Sequence, residues 1–142
     1  PLTPNTWVPN GSGRAVWLGP DEWLLSSTTE TPEELEGRVR AAVLPLGGSA
    51  TDVSAQRIGL RLTGSRVRDV LAKGCSIDLH PRVFGRGSSA QTILGQAGVV
   101  LLALSDAAAD VVVLVRSSFA GYLADWLLDA ALEFTTTTTH DR

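Results

Sequence analysis

Cys75 and His80 stand five residues apart in the stretch LRLTGSRVRDVLAKGCSIDLHPRVF, residues 60–84. Cys75 is the sole cysteine, and His80 is one of two histidines. A cysteine nucleophile needs a base within hydrogen-bond reach and an electropositive, partly exposed setting. Lys73 and the nearby arginines supply positive charge, but no third residue orients the pair and no family signature surrounds Cys75. A free cysteine is commonly a small buried hydrophobe, and that is the expectation here. A zinc site needs about four donors. Cys75 and His80 would have to recruit Asp78 and a distant group, with His140 in a threonine-rich tail. Pro81 biases His80 to an extended backbone, so Asp78 and His80 would project to one side and pair structurally. The expectation is no catalytic residue, no cofactor-binding residue and no metal ligand in this chain.

Other chemical signatures are missing. The paired glycines of GSGRAVWLG and GRGSSAQTILG neither follow a strand nor open a helix, as a dinucleotide site requires. There is no GxxxxGK[ST] phosphate loop and no GxSxG elbow. Asp52 and Asp110 have no acidic neighbour in sequence with which to divide acid and base roles.

The 142 residues suit one core, and 44% hydrophobic with 19% charged residues is ordinary for a folded domain. Apolar runs such as Val99–Leu104 are too short to span a bilayer. No secretory pattern opens the chain, and one cysteine cannot form an internal disulfide. The expected location is the cytoplasm. With no methionine and Pro1 first, a processed or trimmed form of a longer product is expected.

Net charge is −3, yet residues 57–86 hold seven basic side chains against Asp69 and Asp78. Arginine outnumbers lysine eleven to one, and guanidinium suits bidentate pairing with carboxylate or phosphate. That middle segment suits an acidic partner protein or an anionic ligand, or forms a solvated face. Nucleic acid is disfavoured by the negative total and by the lack of aromatics between the arginines.

These residues need elements to position them. Residues 1–13 hold three prolines and two glycines, and read as an extended arm carrying Trp7. Ala15–Leu18 and Glu22–Leu25 flank Gly19-Pro20-Asp21 as a hairpin, with Trp17 and Trp23 packing across it or inward. TPEELEGRVRAAVLPLG opens a helix with Thr31 as cap and Pro32 in the first turn. Its Leu35, Val39, Ala42, Val43 and Leu46 share a face. Strands are expected at Ser49–Ser54 and Arg57–Thr63, then a short helix with Val67, Val70 and Leu71 inward. Three more strands follow, at Ser88–Leu94, VVLLAL and VVVLV, the last two in a sheet interior. A final helix from Ser117 or Ser118 puts Phe119, Tyr122, Leu123, Trp126, Leu127 and Ala130 on one side. The sum is an α+β fold, a mixed, largely antiparallel sheet with about three packed helices.

DVSAQRIGLRLTGSRVRDVLAKGCSIDL resembles the opening domain of the folate-dependent aminomethyltransferases of glycine cleavage. Asp52, Val53, Ser54, Leu60, Leu62, Gly64 and Leu71 stand at that pattern's places. More closely, LGPDEWLL, LAKGCSIDLHPRVF and RSSFAGYLADWLLDA together resemble the gamma subunits of heterotetrameric sarcosine oxidases, over about residues 14–134. The resemblance implies a non-catalytic structural subunit beside alpha, beta and delta subunits that carry FAD, FMN, NAD and zinc. The assembly it implies demethylates sarcosine to glycine, makes hydrogen peroxide, and passes the one-carbon unit to tetrahydrofolate. In the aminomethyltransferases the strand after the turn carries a catalytic acid in a G-x-V-x-D-D pattern, whereas this chain has Gly98-Val99-Val100-Leu101-Leu102. Valine and leucine cannot exchange a proton.

The expected organisation is therefore an arm at 1–13, a single gamma-like domain at 14–134 and a flexible tail at 135–142. Trp7, Arg66, Arg68, Arg82 and Arg86 are the expected partner contacts. Three alternatives stay open: a stand-alone folate-binding or aminomethyltransferase-like protein, the equivalent subunit of another N-methyl amine oxidase complex, and a small cysteine-dependent enzyme.

Overall fold

The computed structural model describes residues 1–107 and 109–135. The expected tail lies outside the described residues except for Thr135, and His140 lies outside them as well. The chain divides into two compact units, Pro1–Gln56 and Arg57 onward.

The first unit opens with three antiparallel strands, β1 (Trp7–Asn10), β2 (Gly13–Gly19) and β3 (Glu22–Leu25), in that order. The residues expected to form only an extended arm thus include a strand. Pro9 is tolerated because β1 is a sheet edge, one side of which needs no ladder bonds. Trp17 and Trp23 face each other across β2 and β3, and the Trp23 indole N–H donates to the Pro1 carbonyl at 2.7 Å.

Helix α1 (Pro32–Val43) begins where expected, with a reciprocal capping box. The Glu34 N–H donates to the Thr31 hydroxyl at 3.3 Å, and the Thr31 N–H donates to the Glu34 carboxylate at 2.8 Å. Pro45 ends the regular turns, and Gly47, at φ 80°, supplies the left-handed residue that reverses the chain. None of the helix is buried. The strand expected at Ser49–Ser54 does not form. Instead the Asp52 carboxylate accepts both the N–H and the hydroxyl of Ser54, at 2.8 and 2.5 Å. Such a local side-chain turn competes with extended pairing.

The second unit is a four-stranded antiparallel sheet of β4 (Arg57–Thr63), β5 (Ser89–Leu94), β6 (Ala97–Ala103) and β7 (Asp110–Arg116), ordered β4-β7-β6-β5. The two continuous apolar strands, β6 and β7, take the interior positions, as their composition requires. Val99, Leu101 and Ala103 of β6 and Val111, Val113 and Val115 of β7 share one face and form the core. Helices α2 (Val67–Ala72) and α3 (Ala120–Thr135) pack there through Val67, Leu71 and Leu123. Gly64, at φ 127°, breaks β4 before α2.

Gly74 stands after α2 for a reason other than backbone freedom. A Cβ there would run into the Trp126 ring and lie 2.9 Å from the Gly95 nitrogen. Along α3, Leu123 and Ala130 are buried and Trp126 and Leu127 are partly so, while Tyr122 and, in the turn just before the helix, Phe119 are 40% and 43% exposed. The Tyr122 hydroxyl accepts the Gln96 N–H at 3.1 Å and so holds the β5–β6 turn. The fold is α+β, with antiparallel sheets and three helices, as expected.

Candidate partner interface

The two residues that first suggested chemistry are each engaged in structure. Cys75 is buried in the core cluster, with its thiol 3.9 Å from the Thr92 hydroxyl. His80 is exposed, and its Nδ1 accepts the Arg82 backbone N–H at 3.2 Å. Asp78 does not pair with the imidazole: its carboxylate accepts the His80 backbone N–H at 2.8 Å. Among the described residues, no group of three or more His, Cys, Asp or Glu side chains could hold a metal ion. A shallow, open depression of about 260 Å³ lies between Arg68 and Asp69 of α2 and the Asp78–His80 segment.

The loop after His80 carries two exposed arginines and is closed by its own hydrogen bonds. The Val83 and Phe84 N–H groups both donate to the His80 carbonyl, at 2.8 and 2.9 Å. Phe84 is buried and anchors the loop, while Arg82, Val83 and Arg86 stay exposed. The Arg86 backbone N–H donates to Asp106 at 3.2 Å, tying the far end of the loop.

The basic middle of the chain divides by role. Arg61 makes a two-pronged pair with Asp110 of the neighbouring strand, at 2.9 and 2.7 Å, and the carboxylate raises the arginine pKa further. Arg66 pairs with Asp69 at 3.1 Å and lies over the Phe134 ring at 5.5 Å. Lys73 bonds the Ala130 carbonyl, pairs with Glu133 at 2.5 Å and approaches the Phe134 ring at 4.9 Å. A cation at the carboxyl end of a helix complements its dipole, so Arg66 and Lys73 brace α3. Arg68, Arg82 and Arg86 make no ion pair among the described residues.

Of the five expected contacts, the structure puts Arg66 and Arg68 at the start of α2 and Arg82 and Arg86 on the following loop. Trp7 belongs to the first unit and is half-buried, with the Arg14 guanidinium 5.5 Å above its ring. Sequence reasoning missed an exposed apolar pair on α3, Leu128 and Leu132. Their spacing of four, off the packing side, was the available signal. Leu46, expected on the shared face of α1, lies instead in the turn after the helix at 86% exposure, beside Leu44 at 64%.

The described residues form an α+β fold whose interior strands β6 and β7 are apolar except for Asp110 and Arg116 at the two ends of β7, with unpaired arginines at the surface. The chain matches the family model of the sarcosine oxidase gamma subunit over residues 3–133 and belongs to that family. It is 40% identical over 124 residues to the sarcosine oxidase subunit gamma of Corynebacterium sp. (strain U-96), covering 87% of this chain and 58% of that one. Against the subunit gamma of Arthrobacter sp it is 38% identical over 127 residues, covering 89% and 61%. The chain therefore spans about three fifths of the length of these relatives. A solved heterotetrameric sarcosine oxidase from Corynebacterium sp. U-96, in complex with pyrrole 2-carboxylate, contains a similar chain. The TM-score is 0.86 at 33% identity, over 99% of this chain and 70% of that chain.

Proposed function

We propose that this chain is a non-catalytic structural subunit of a heterotetrameric sarcosine oxidase, joined to alpha, beta and delta subunits in the cytoplasm. The assembly demethylates sarcosine to glycine, produces hydrogen peroxide and transfers the one-carbon unit to tetrahydrofolate. FAD, FMN, NAD and zinc reside in the other subunits, and this chain binds none of them. Family membership supports the assembly, and one observation carries the scaffold role. The strand that holds an acid in the related aminomethyltransferases here runs Val99, Val100, Leu101 and Leu102, each at most 3% exposed. Side chains of that kind at that depth pack, and they cannot exchange a proton. No helix among the described residues is long and apolar enough to cross a membrane, which is compatible with the proposed location.

Within this reading, Arg68, Arg82 and Arg86 offer free guanidinium groups to carboxylates of a neighbouring subunit. Arg66 stands beside Arg68 in the second unit while also bracing α3, and Trp7 is a separate candidate contact on the first unit. The test is co-expression of the tagged chain with the other oxidase subunits encoded beside it. Recovery of a flavin-containing assembly that oxidises sarcosine is expected, and the chain purified alone should be colourless and inactive. An assembly that never forms, or a lone chain that keeps a flavin through gel filtration, would overturn the proposal.

A further inference from the structure

The β4–β7 pairing meets its charges at one end and leaves them unmet at the other. Arg57, Gly59, Arg61 and Thr63 of β4 share a face with Asp110, Val112, Leu114 and Arg116 of β7, opposite the core face. At one end of that face Arg61 holds Asp110 through two bonds. At the other end Arg57 stands directly opposite Arg116. The Gly64 N–H donates to the Ala109 carbonyl at 2.9 Å, and counting back along the register makes Arg57–Arg116 a non-hydrogen-bonded pair. Side chains at such a pair start closest together, and like charges directly opposite weaken the pairing. Neither guanidinium has a carboxylate partner among the described residues, and Arg116 is exposed.

The same count turns the backbone N–H and C=O groups of Arg57, Gly59, Arg61 and Thr63 away from β7, toward the open edge of the sheet. Among the described residues none of these groups has a backbone partner. No proline or bulge blunts this edge, as one commonly does, and the register runs unbroken from Arg57 to Thr63. On the core face Ile58 is 43% exposed, and Leu60 and Leu62 are only partly buried, so the apolar side is incompletely covered at this margin. We propose that β4 receives an additional strand from a different subunit of the assembly, an extended segment with aliphatic residues on one side and at least one carboxylate on the other. Its backbone bonds the open edge, its aliphatic side chains cover Ile58 and Leu60, and its carboxylate lies against Arg57 and Arg116. Strand addition draws affinity from main-chain bonds and specificity from alternate side chains. A second copy does not suit the charges. Antiparallel self-pairing of β4 about a two-fold axis would gather Arg57, Arg61 and Arg116 of both copies on one face, with only the two Asp110 carboxylates to meet them. The inference rests on the proposed function, because a heterotetramer supplies an unlike partner.

Hydrogen exchange resolved to single amides tests it, on the lone chain and on the assembly formed by co-expression with the other subunits. In the lone chain the amides of Ile58, Leu60 and Leu62, bonded to β7, should exchange slowly, and those of Gly59, Arg61 and Thr63 fast. Assembly should slow the second set at least about tenfold. The double variant Arg57→Glu/Arg116→Glu should match the parent in circular dichroism when alone, and recover at least about tenfold less assembly through its tag. The exchange pattern of the parent is read independently of how the variant folds. If Gly59, Arg61 and Thr63 exchange as fast in a recovered assembly as in the lone chain, the inference is overturned and the proposed function stands. A parent that forms no assembly would sink both. Slow exchange of that set already in the lone chain would also overturn it, and loss of the protection on dilution would name a second copy as the occupant. Undiminished recovery of the double variant would remove the acidic contact and with it the partner named here.

Discussion

Helices α1 and α3 both announce themselves by apolar residues three and four apart, and they end in opposite circumstances. In α3 the row closes on the sheet, with Leu123 fully buried and Ala130 nearly so. Its far end is clamped by Lys73 and Arg66, residues more than 50 positions earlier in the chain. In α1 no residue is buried, and every bond that holds it lies within 10 residues in sequence. Amphipathic periodicity therefore specifies a helix and an apolar face, but not whether this chain covers that face. A row covered from within stabilises the fold, whereas the α1 row is only partly covered and Leu44 and Leu46, just after the helix, stay exposed.

The sharpest way to break this contrast is to truncate one leucine from each row. Leu123→Ala should destabilise the lone chain by about 2–5 kcal/mol, as buried leucine truncations do. Leu46→Ala should stay within about 0.5 kcal/mol, as is usual at a surface position. Chemical denaturation measures both, and a Leu46→Ala cost near that of Leu123→Ala would mean the α1 row is already packed.

Glycine substitutions draw the same line with smaller effects and opposite signs. Gly74→Ala would push a methyl into the Trp126 ring beneath α3, and overpacking of that kind costs about 1–3 kcal/mol. Gly37→Ala, in the interior of α1 with nothing within 4 Å of the new Cβ, should stabilise by about 0.5–1 kcal/mol through helix propensity. Thermal unfolding of the two variants reads the sign directly, and a destabilised Gly37→Ala would place a hidden neighbour against α1.

The smallest expected effect is a pH dependence confined to α1. The Arg38 guanidinium holds the Glu30 carboxyl below its ordinary value of 4.5, with a smaller contribution from Ser27. The native state thus takes up that proton less readily than the unfolded one. The stabilisation is complete above the unfolded pKa and is lost as pH falls through the lower, folded one. Amide protection over residues 32–43 should decline across that acid window in the parent and lose this step in Glu30→Gln. Protection in α3 should be untouched by the substitution, and an identical acid profile in parent and variant would refute the local role of the pair.

Much of the fold was legible because its signals are local. Thr31, Pro32 and Glu34 mark the start of α1, and the unbroken valines and leucines of residues 99–102 and 111–115 mark interior strands. Cys75 behaves as the small hydrophobe that a lone cysteine usually is. The failures are also physical. The strand expected at Ser49–Ser54 lost to a three-residue turn closed by Asp52, and Pro9 was compatible with a strand once that strand lay at an edge. The basic middle could not be resolved from composition. Only the return of α3 to α2 separates Arg66 and Lys73, which brace a helix end, from Arg68, Arg82 and Arg86, which remain unpaired.

The sequence alone determined where helices and strands begin, which strands are apolar throughout, and that no proton-handling side chain stands in β6. Those properties depend on neighbours within a few residues, through capping, periodicity and side-chain chemistry. The tertiary structure alone decided which apolar rows are covered and which arginines are satisfied. Burial and ion pairing join residues far apart in the chain, and a linear pattern carries no record of the surface it will meet.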